Sequence, residues 1–178
     1  MTSLVPPDLR LRATWAEAVA EFGAEMMHGS GLWDFGSADV TGKDAAAVVA
    51  RLLSYADPAT EIPDHHVHCT YLWIVDDADQ FVGYLAIRHA LTPGLLLDGG
   101  HIGFAVRPSR RREGHATRAL ALAVRRAADL GLDRVLLTCD EDNVGSRVTI
   151  ERCGGVYEDS RNGKRRYWID TSPEVGTA

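Results

Sequence analysis

The chain has 178 residues, of which 46% are hydrophobic and 25% charged, and this length removes roughly 70% of the unfolded surface from water, so one core holds without disulfides or structural metal. Its three cysteines, Cys69, Cys139 and Cys153, are odd in number and lack CxxC spacing, which excludes a disulfide-stapled scaffold and a zinc ribbon and points to a reducing, cytoplasmic setting. The net charge is −6, the opening MTSLVPPDLR lacks the pattern of a signal peptide, and no window reaches the ~18 apolar residues of a membrane span.

From the N-terminus, Trp15, Ala18, Val19, Phe22 and Met26 recur at helical spacing and predict a helix over 13–28, with Thr14 as N-cap and Gly29 beyond its end. A glycine-rich stretch, 29–42, leads to a second helix over 43–55 that Asp57-Pro58 ends. Trp33 and Phe35 in that stretch either pin the loop to the core or line a pocket. Segments 67–75 and 81–89 are rich in aromatic and β-branched residues and flank a short acidic loop, which predicts an antiparallel hairpin. After a turn at Pro93-Gly94 comes a third strand, 102–106, ending at Arg107-Pro108. The period then changes. Ala116, Ala119, Leu120, Ala123, Val124, Ala127 and Leu130 form one helical stripe that Gly131 stops. RVLLTC at 134–139 has the length of a buried strand and completes a parallel strand-helix-strand unit. Asn143 caps a short helix to Cys153, and a final hairpin, 156–158 with 165–170, turns at Asn162-Gly163.

Charge is uneven along the chain. Residues 1–100 carry five basic and fourteen acidic side chains, whereas 101–178 carry fourteen and eleven. Seven arginines (Arg107, Arg110, Arg111, Arg112, Arg118, Arg125, Arg126) stand against the single acid Glu113 in 107–126. Nucleic acid needs a broader positive field than this acidic chain offers, so a compact anion is the better fit. The junction VRPSRRREGHATRAL supplies the geometry: a strand, a tight loop, then a helix start whose unpaired N–H groups attract phosphate. Gly114 and Ala116 leave room for it to approach. Elsewhere, His66 and His68 offer too few ligands for a metal, and Thr41-Gly42-Lys43 lacks the upstream glycine of a P-loop.

The loop Arg111-Arg112-Glu113-Gly114-His115-Ala116 resembles the acyl-CoA site of the GNAT superfamily of N-acetyltransferases, whose pattern is Arg or Gln, two residues, Gly, one residue, Gly or Ala. The blocks GGHIGFAVRPSRRREGHAT, TCDEDNVGS and RCGG are similar to a subgroup of bacterial predicted acetyltransferases, over roughly 70–170. The resemblance implies one α/β domain over 1–178, with N-terminal helices and the acceptor side in 1–65 and the acyl-CoA core with the final hairpin in 66–170. It implies a mixed central sheet flanked by helices, in which the strands at 102–106 and 134–139 splay apart around acetyl-CoA, with no metal. Backbone groups of Phe104, Ala105 and Val106 would pair with the pantetheine arm. Amides from Arg112 to Thr117 would hold the pyrophosphate, one or two arginines the 3′-phosphate, and Asn143 the cofactor arm. Such domains often pair through sheet edges, so a homodimer is also implied.

The implied reaction is attack of an amine on a thioester. A primary amine of pKa about 10.4 costs roughly 4.6 kcal/mol to deprotonate at pH 7, while a thiolate of pKa about 8.5 leaves with little help. The base therefore matters more than the acid. His101, just before the cofactor strand, is the expected base, with Asp98 or one of Asp140, Glu141 and Asp142 acting through water as competitors. Many family members place a tyrosine acid where this chain has Ile150, which leaves Ser146, Cys153 or water. The acceptor is expected to be a small, cationic amine, drawn by the acidic N-terminal half, with Trp33, Phe35 and Trp168 as candidate walls. The alternative is an acyl-CoA-binding sensor without turnover.

Overall fold

The structure, a computed structural model, describes residues 1–172; residues 173–178 of the expected domain lie outside them. It begins with a strand the sequence reading lacks, Thr2–Val5 (β1), which pairs antiparallel with Cys69–Asp76 (β2). The next pairings, β2 with Phe81–Arg88 (β3) and β3 with Ile102–Val106 (β4), are also antiparallel and complete a four-stranded sheet. A second sheet joins Arg134–Asp140 (β5), Val156–Arg161 (β6) and Lys164–Asp170 (β7) in the order β5-β7-β6.

Side-chain alternation decides where the helices go. Tyr71, Trp73 and Val75 on β2 leave one face of the first sheet, and Leu72 and Ile74 leave the other, so both faces must be covered. Arg12–Phe22 (α1) and Ala45–Ser54 (α2) cover the first face with Trp15, Phe22, Val48 and Leu52. Trp15 is fully buried, its indole N–H donates to the Tyr84 hydroxyl at 2.8 Å, and its ring lies 4.7 Å from that of Trp73. Burying it contributes roughly 4–6 kcal/mol. His115–Asp129 (α4) covers the second face with Ala119, Leu120, Ala123 and Ala127, packed also on Val135 and Leu137 of β5. Val144–Arg152 (α5) closes this layer through Ile150. Among the described residues no helix is long and apolar enough to cross a membrane.

Three local expectations change. The first helix stops at Phe22 instead of reaching His28, because the backbone leaves the helical region at Gly23 (φ 54). Thr14 is not its N-cap; its hydroxyl donates to Leu11 O and accepts from Phe81 N–H at 3.0 Å, stitching α1 to β3. The turn at Pro93-Gly94 is a short helix, Pro93–Leu97 (α3), capped by Thr92, whose hydroxyl accepts from Leu95 N–H.

The expected sheet is split at its centre. Among the described residues no ladder joins β4 and β5; each is the edge of its own sheet. They meet around His101, whose N–H donates to Leu136 O at 2.7 Å and whose Nδ1 accepts from Leu136 N–H at 2.9 Å. The imidazole thus takes the place of a strand partner, and beyond this pin the two sheets part.

Candidate active site

Backbone alternation builds the seam between β4 and β5. Tyr84 faces Ala105 and Ala86 faces Gly103 in the β3–β4 ladder, and the flanking bonds run from Arg88 N–H to His101 O and from Arg107 N–H to Val82 O, both 2.8 Å. Gly103 and Ala105, with the His101 carbonyl and the Arg107 N–H, therefore direct their backbone groups to β3, and Ile102, Phe104 and Val106 turn theirs to the seam. Of the three expected backbone contacts, Phe104 and Val106 face the seam. Ala105 does not, because its groups belong to the β3 ladder. The Val106 carbonyl already accepts from Arg111 Nε at 3.1 Å, which leaves its N–H.

After β4 the chain makes one tight turn, Pro108–Arg110, and enters α4 through Arg112 (φ 66) and Gly114 (φ 79). Gly114 is the N-cap and carries no side-chain oxygen to bond the first turn. The first helical bond of this terminus runs from Arg118 N–H to Gly114 O, so the amides of His115, Ala116 and Thr117 are open to an external acceptor. The buried His115 ring points away, with Nδ1 2.9 Å from Thr2 Oγ1 and Nε2 3.2 Å from Glu113 Oε2. His115 and Glu113 thus present backbone to this site.

Most of the seven arginines are structural. Arg107 pairs with Glu21 and holds that carboxyl down to about 2, chiefly through its hydrogen bond. Arg110 reaches Asp76 at 2.8 Å, Arg111 pairs with Glu25, Arg118 donates to Thr2 Oγ1 at 2.8 Å, and Arg126 donates to Leu4 O at 2.8 Å. Glu21, Glu25 and Asp76 of the acidic first half thus neutralise Arg107, Arg111 and Arg110, while Arg118 and Arg126 bond neutral oxygens of β1. Among the described residues Arg112 and Arg125 are the two of the seven with no recorded polar partner, and Arg112 lies on the loop itself.

Beside the seam the sheets diverge around an open cleft. Gly103 and Phe104 of β4 form one wall, Thr138, Cys139 and Asp140 of β5 the other, and Asn143 and Ser146 the floor at the start of α5. The Asn143 side-chain oxygen accepts from Ser146 N–H at 3.0 Å, so it is the helix cap and a cleft residue at once. Ile150 is 1% exposed, inside the core. Cys153 is not a cleft residue; its thiol lies 3.4 Å from Thr117 O and burial raises its pKa.

His101 stands apart from the cleft. Its Nδ1 lone pair is occupied by Leu136 N–H, it is 7% exposed, and burial with the nearby Arg88 charge lowers its pKa to about 4. The residue expected as base is built as a pin between the sheets. Of the expected walls, Trp33 lines the cleft and is exposed, Phe35 packs into the α1/α2 core, and Trp168 lies under Arg134 with their centres 4.2 Å apart. His66 lies 3.5 Å from Asp34 and His68 Nδ1 3.2 Å from Tyr55 O; among the described residues no three His, Cys, Asp or Glu side chains gather for a metal.

Four further groups close the cleft that sequence reading missed or left unplaced. Lys164 Nζ, at the start of β7, lies 2.7 Å from Asp140 and 3.4 Å from Asp98, and its bond to Asp140 raises its pKa. Arg88, at the end of β3, donates to Gly99 O and Gly100 O at 3.0 Å. Thr138 Oγ1 accepts from Gly99 N–H at 2.8 Å. His28 arrives on the loop after α1, which lies directly on β4: a side chain at Gly29 would sit 2.4 Å from Gly103 O, so only glycine permits that approach. The local signal for this loop was Gly23, a stop five residues before His28.

Residues 8–156 match the family model of the acetyltransferase (GNAT) domain. Solved structures of the same fold include Mycobacterium smegmatis RimJ with CoA-disulfide, at 20% identity and TM-score 0.67, covering 95% of this chain and 81% of that one. The microcin C7 self-immunity acetyltransferase MccE, solved with acetyl-CoA and AMP, is 16% identical at TM-score 0.66, covering 95% and 92%. RimL, a ribosomal L7/L12 alpha-N-protein acetyltransferase solved in complex with coenzyme A, is 16% identical at TM-score 0.64, covering 95% and 93%. No curated protein matches the chain.

Proposed function

Because the chain belongs to the GNAT acetyltransferase family, we propose that it moves an acetyl group from acetyl-CoA to a primary amine of a small molecule or peptide, by direct attack of the amine on the thioester. The observation that carries this reading is continuity: one short loop joins the unpaired edge of β4 to the uncapped start of α4. The pantetheine amides pair with Phe104 and Val106 as an added strand. The pyrophosphate sits on the amides between Arg112 and Thr117, spanning Glu113, Gly114, His115 and Ala116, and the Arg112 guanidinium takes the 3′-phosphate. Arg111 holds the loop to Val106 and to Glu25 after α1 and does not bind phosphate directly.

Placed this way, the thioester reaches the cleft between Phe104 and Asn143. A seam-facing N–H of β4 faces the developing oxyanion, and the Ser146 hydroxyl, at the start of α5, is a donor for the departing sulfur. The acceptor enters past Trp33 and Lys164. Arg88 and Lys164 balance Asp98 and Asp140 there, so a strong preference for a cationic acceptor loses its electrostatic basis. Small amines and peptide N-termini are both accommodated by an open mouth.

The test is calorimetry with CoA, followed by thiol release from acetyl-CoA with amines, amino acids and short peptides. Micromolar binding with release by at least one class is expected. Saturable binding with no release from any class would favour the sensor reading, which Ile150 in the usual tyrosine position supports. No binding at millimolar CoA would overturn the proposal.

A further inference from the structure

Besides the Cys139 thiol, five side chains that titrate line the cleft: His28, Arg88, Asp98, Asp140 and Lys164. Four are committed. Lys164 bridges Asp140 and Asp98, and Arg88 is bound to the Gly99 and Gly100 carbonyls. The Cys139 thiol in the same wall is held protonated by burial. His101 is outside the cleft with its acceptor nitrogen occupied. His28 remains, with no hydrogen bond recorded to its ring among the described residues. Gly29 packs on Gly103, so the ring is anchored one residue from a backbone contact with β4, in the cleft that Phe104 also lines.

We propose that His28 is the general base of acetyl transfer, accepting the proton of the acceptor amine as its nitrogen attacks the thioester. This rests on the coenzyme placement proposed above. The amine lone pair forms the C–N bond, the carbonyl π pair moves to oxygen against a β4 N–H, and the His28 ring nitrogen accepts one N–H proton. The oxygen pair then returns, the C–S bond breaks with its electrons on sulfur, and the imidazolium proton passes through solvent to the thiolate. Amide and CoA thiol are the products, and His28 is neutral again. An acceptor that arrives as an ammonium first releases one proton to solvent.

The surroundings keep the ring in the working form. Burial against the loop first and the Lys164 charge second lower its pKa, Arg88 lowers it further, and Asp140 and Asp98 oppose the shift. A base lowered below 6.5 is neutral and available at pH 7.

The test compares wild type with His28→Gln and His28→Ala, using hydroxylamine, a nucleophile small enough to reach the thioester whatever the natural acceptor, alongside the best amine of the panel. Wild-type kcat/KM, expressed per unprotonated nucleophile so that the acceptor's own ionisation is removed, should rise through a single limb below pH 6.5 and be flat above it. Both variants should lose at least 100-fold in kcat/KM with the amine, lose that limb, and bind acetyl-CoA within twofold of wild type. Added imidazole should restore His28→Ala in proportion to its concentration, which a structural role would not produce. Variants within threefold of wild type, or an unchanged pH limb, overturn the assignment. So does coenzyme binding by wild type without acceleration of any acceptor. Absence of coenzyme binding overturns instead the reading on which it rests.

Discussion

The two sides of the site are made of different material. In the coenzyme placement proposed above, the donor side is backbone: one free strand edge and one helix start, within the stretch from Phe104 to Thr117. The acceptor side is side chains, gathered from the loop after α1, the end of β3, the segment before β4, and strands β5 and β7. Backbone groups keep their direction whatever residue carries them, so the donor side is insensitive to most substitutions and fails only where a side chain blocks the approach. The acceptor side can be rewritten one residue at a time without disturbing the seam. A family that keeps one donor and changes acceptors needs that division.

The sharpest way to break the donor side is Gly114→Val. It places a branched side chain at φ 79, where a Cβ already meets the Arg118 guanidinium at 2.8 Å, and closes the approach to the first turn. Loss of two or three charge-assisted hydrogen bonds amounts to about 4 kcal/mol, or roughly a thousandfold in CoA affinity. The strained φ itself destabilises the fold by roughly 1–2 kcal/mol. Calorimetry with CoA, with a thermal melt beside it, separates these effects. Affinity within tenfold of wild type would show that the phosphates lie elsewhere.

The joint between the two sides is next in size. His101 has a folded pKa of about 4 against an ordinary 6.5. The folded-state value is the lower one, so between pH 6.5 and about 4 the unfolded chain binds the extra proton, and stability falls as pH drops through that window. The full loss is on the order of 3 kcal/mol. Urea midpoints measured from pH 7.5 to 4 should show the slope. His101→Gln should lose it, while starting roughly 1–3 kcal/mol lower at pH 7 because the Leu136 N–H loses its partner. A variant that keeps the wild-type slope would move the pin to another group.

On the acceptor side the expected effects are smaller and confined. Trp33 is 53% exposed at the cleft mouth, and Trp33→Ala should raise the acceptor KM about tenfold, the loss of roughly 1.5 kcal/mol of contact, with CoA affinity unchanged. A matched fall in CoA affinity would mean that the two sides are coupled.

The same division governed what could be read from the sequence. The donor side is local: a strand end, a glycine and an amphipathic stripe within one stretch of chain specify it, and β4, α4 and the Asn143 cap fall where those signals put them. Five of the seven arginines misled for the opposite reason, since their partners, Glu21, Glu25, Thr2, Leu4 and Asp76, are distant in sequence and visible only once folded. β1 was missed because four residues carry no period, and it is held by β2 and the arginines of α4. His101 looked chemical because of its type and place, while its fate was set by Leu136 across the seam. His28 looked like a helix end until Gly23 released the loop that brings it to β4.

Lys164 provides the finest test of the division, because it belongs to the acceptor side alone and influences it without touching the seam. Its ammonium lowers the His28 pKa, and its own pKa is raised by Asp140, so it stays charged throughout the working range. Lys164→Met removes that charge and leaves Asp98 and Asp140 unopposed. Both carboxylates favour protonated His28, so its pKa must rise and a larger share of the ring is charged at pH 7. The limb of the kcat/KM profile should therefore move to higher pH, and the rate at pH 7 should fall by less than tenfold, with recovery at pH 8.5. Stability should change by no more than about 1 kcal/mol, as befits a partly exposed pair, and CoA affinity should hold within twofold. A limb that moves to lower pH would mean that the titrating group is not His28. Movement of CoA affinity with the limb would mean that charge in the cleft is felt at the phosphates, and the separation between a backbone donor side and a side-chain acceptor side would fail.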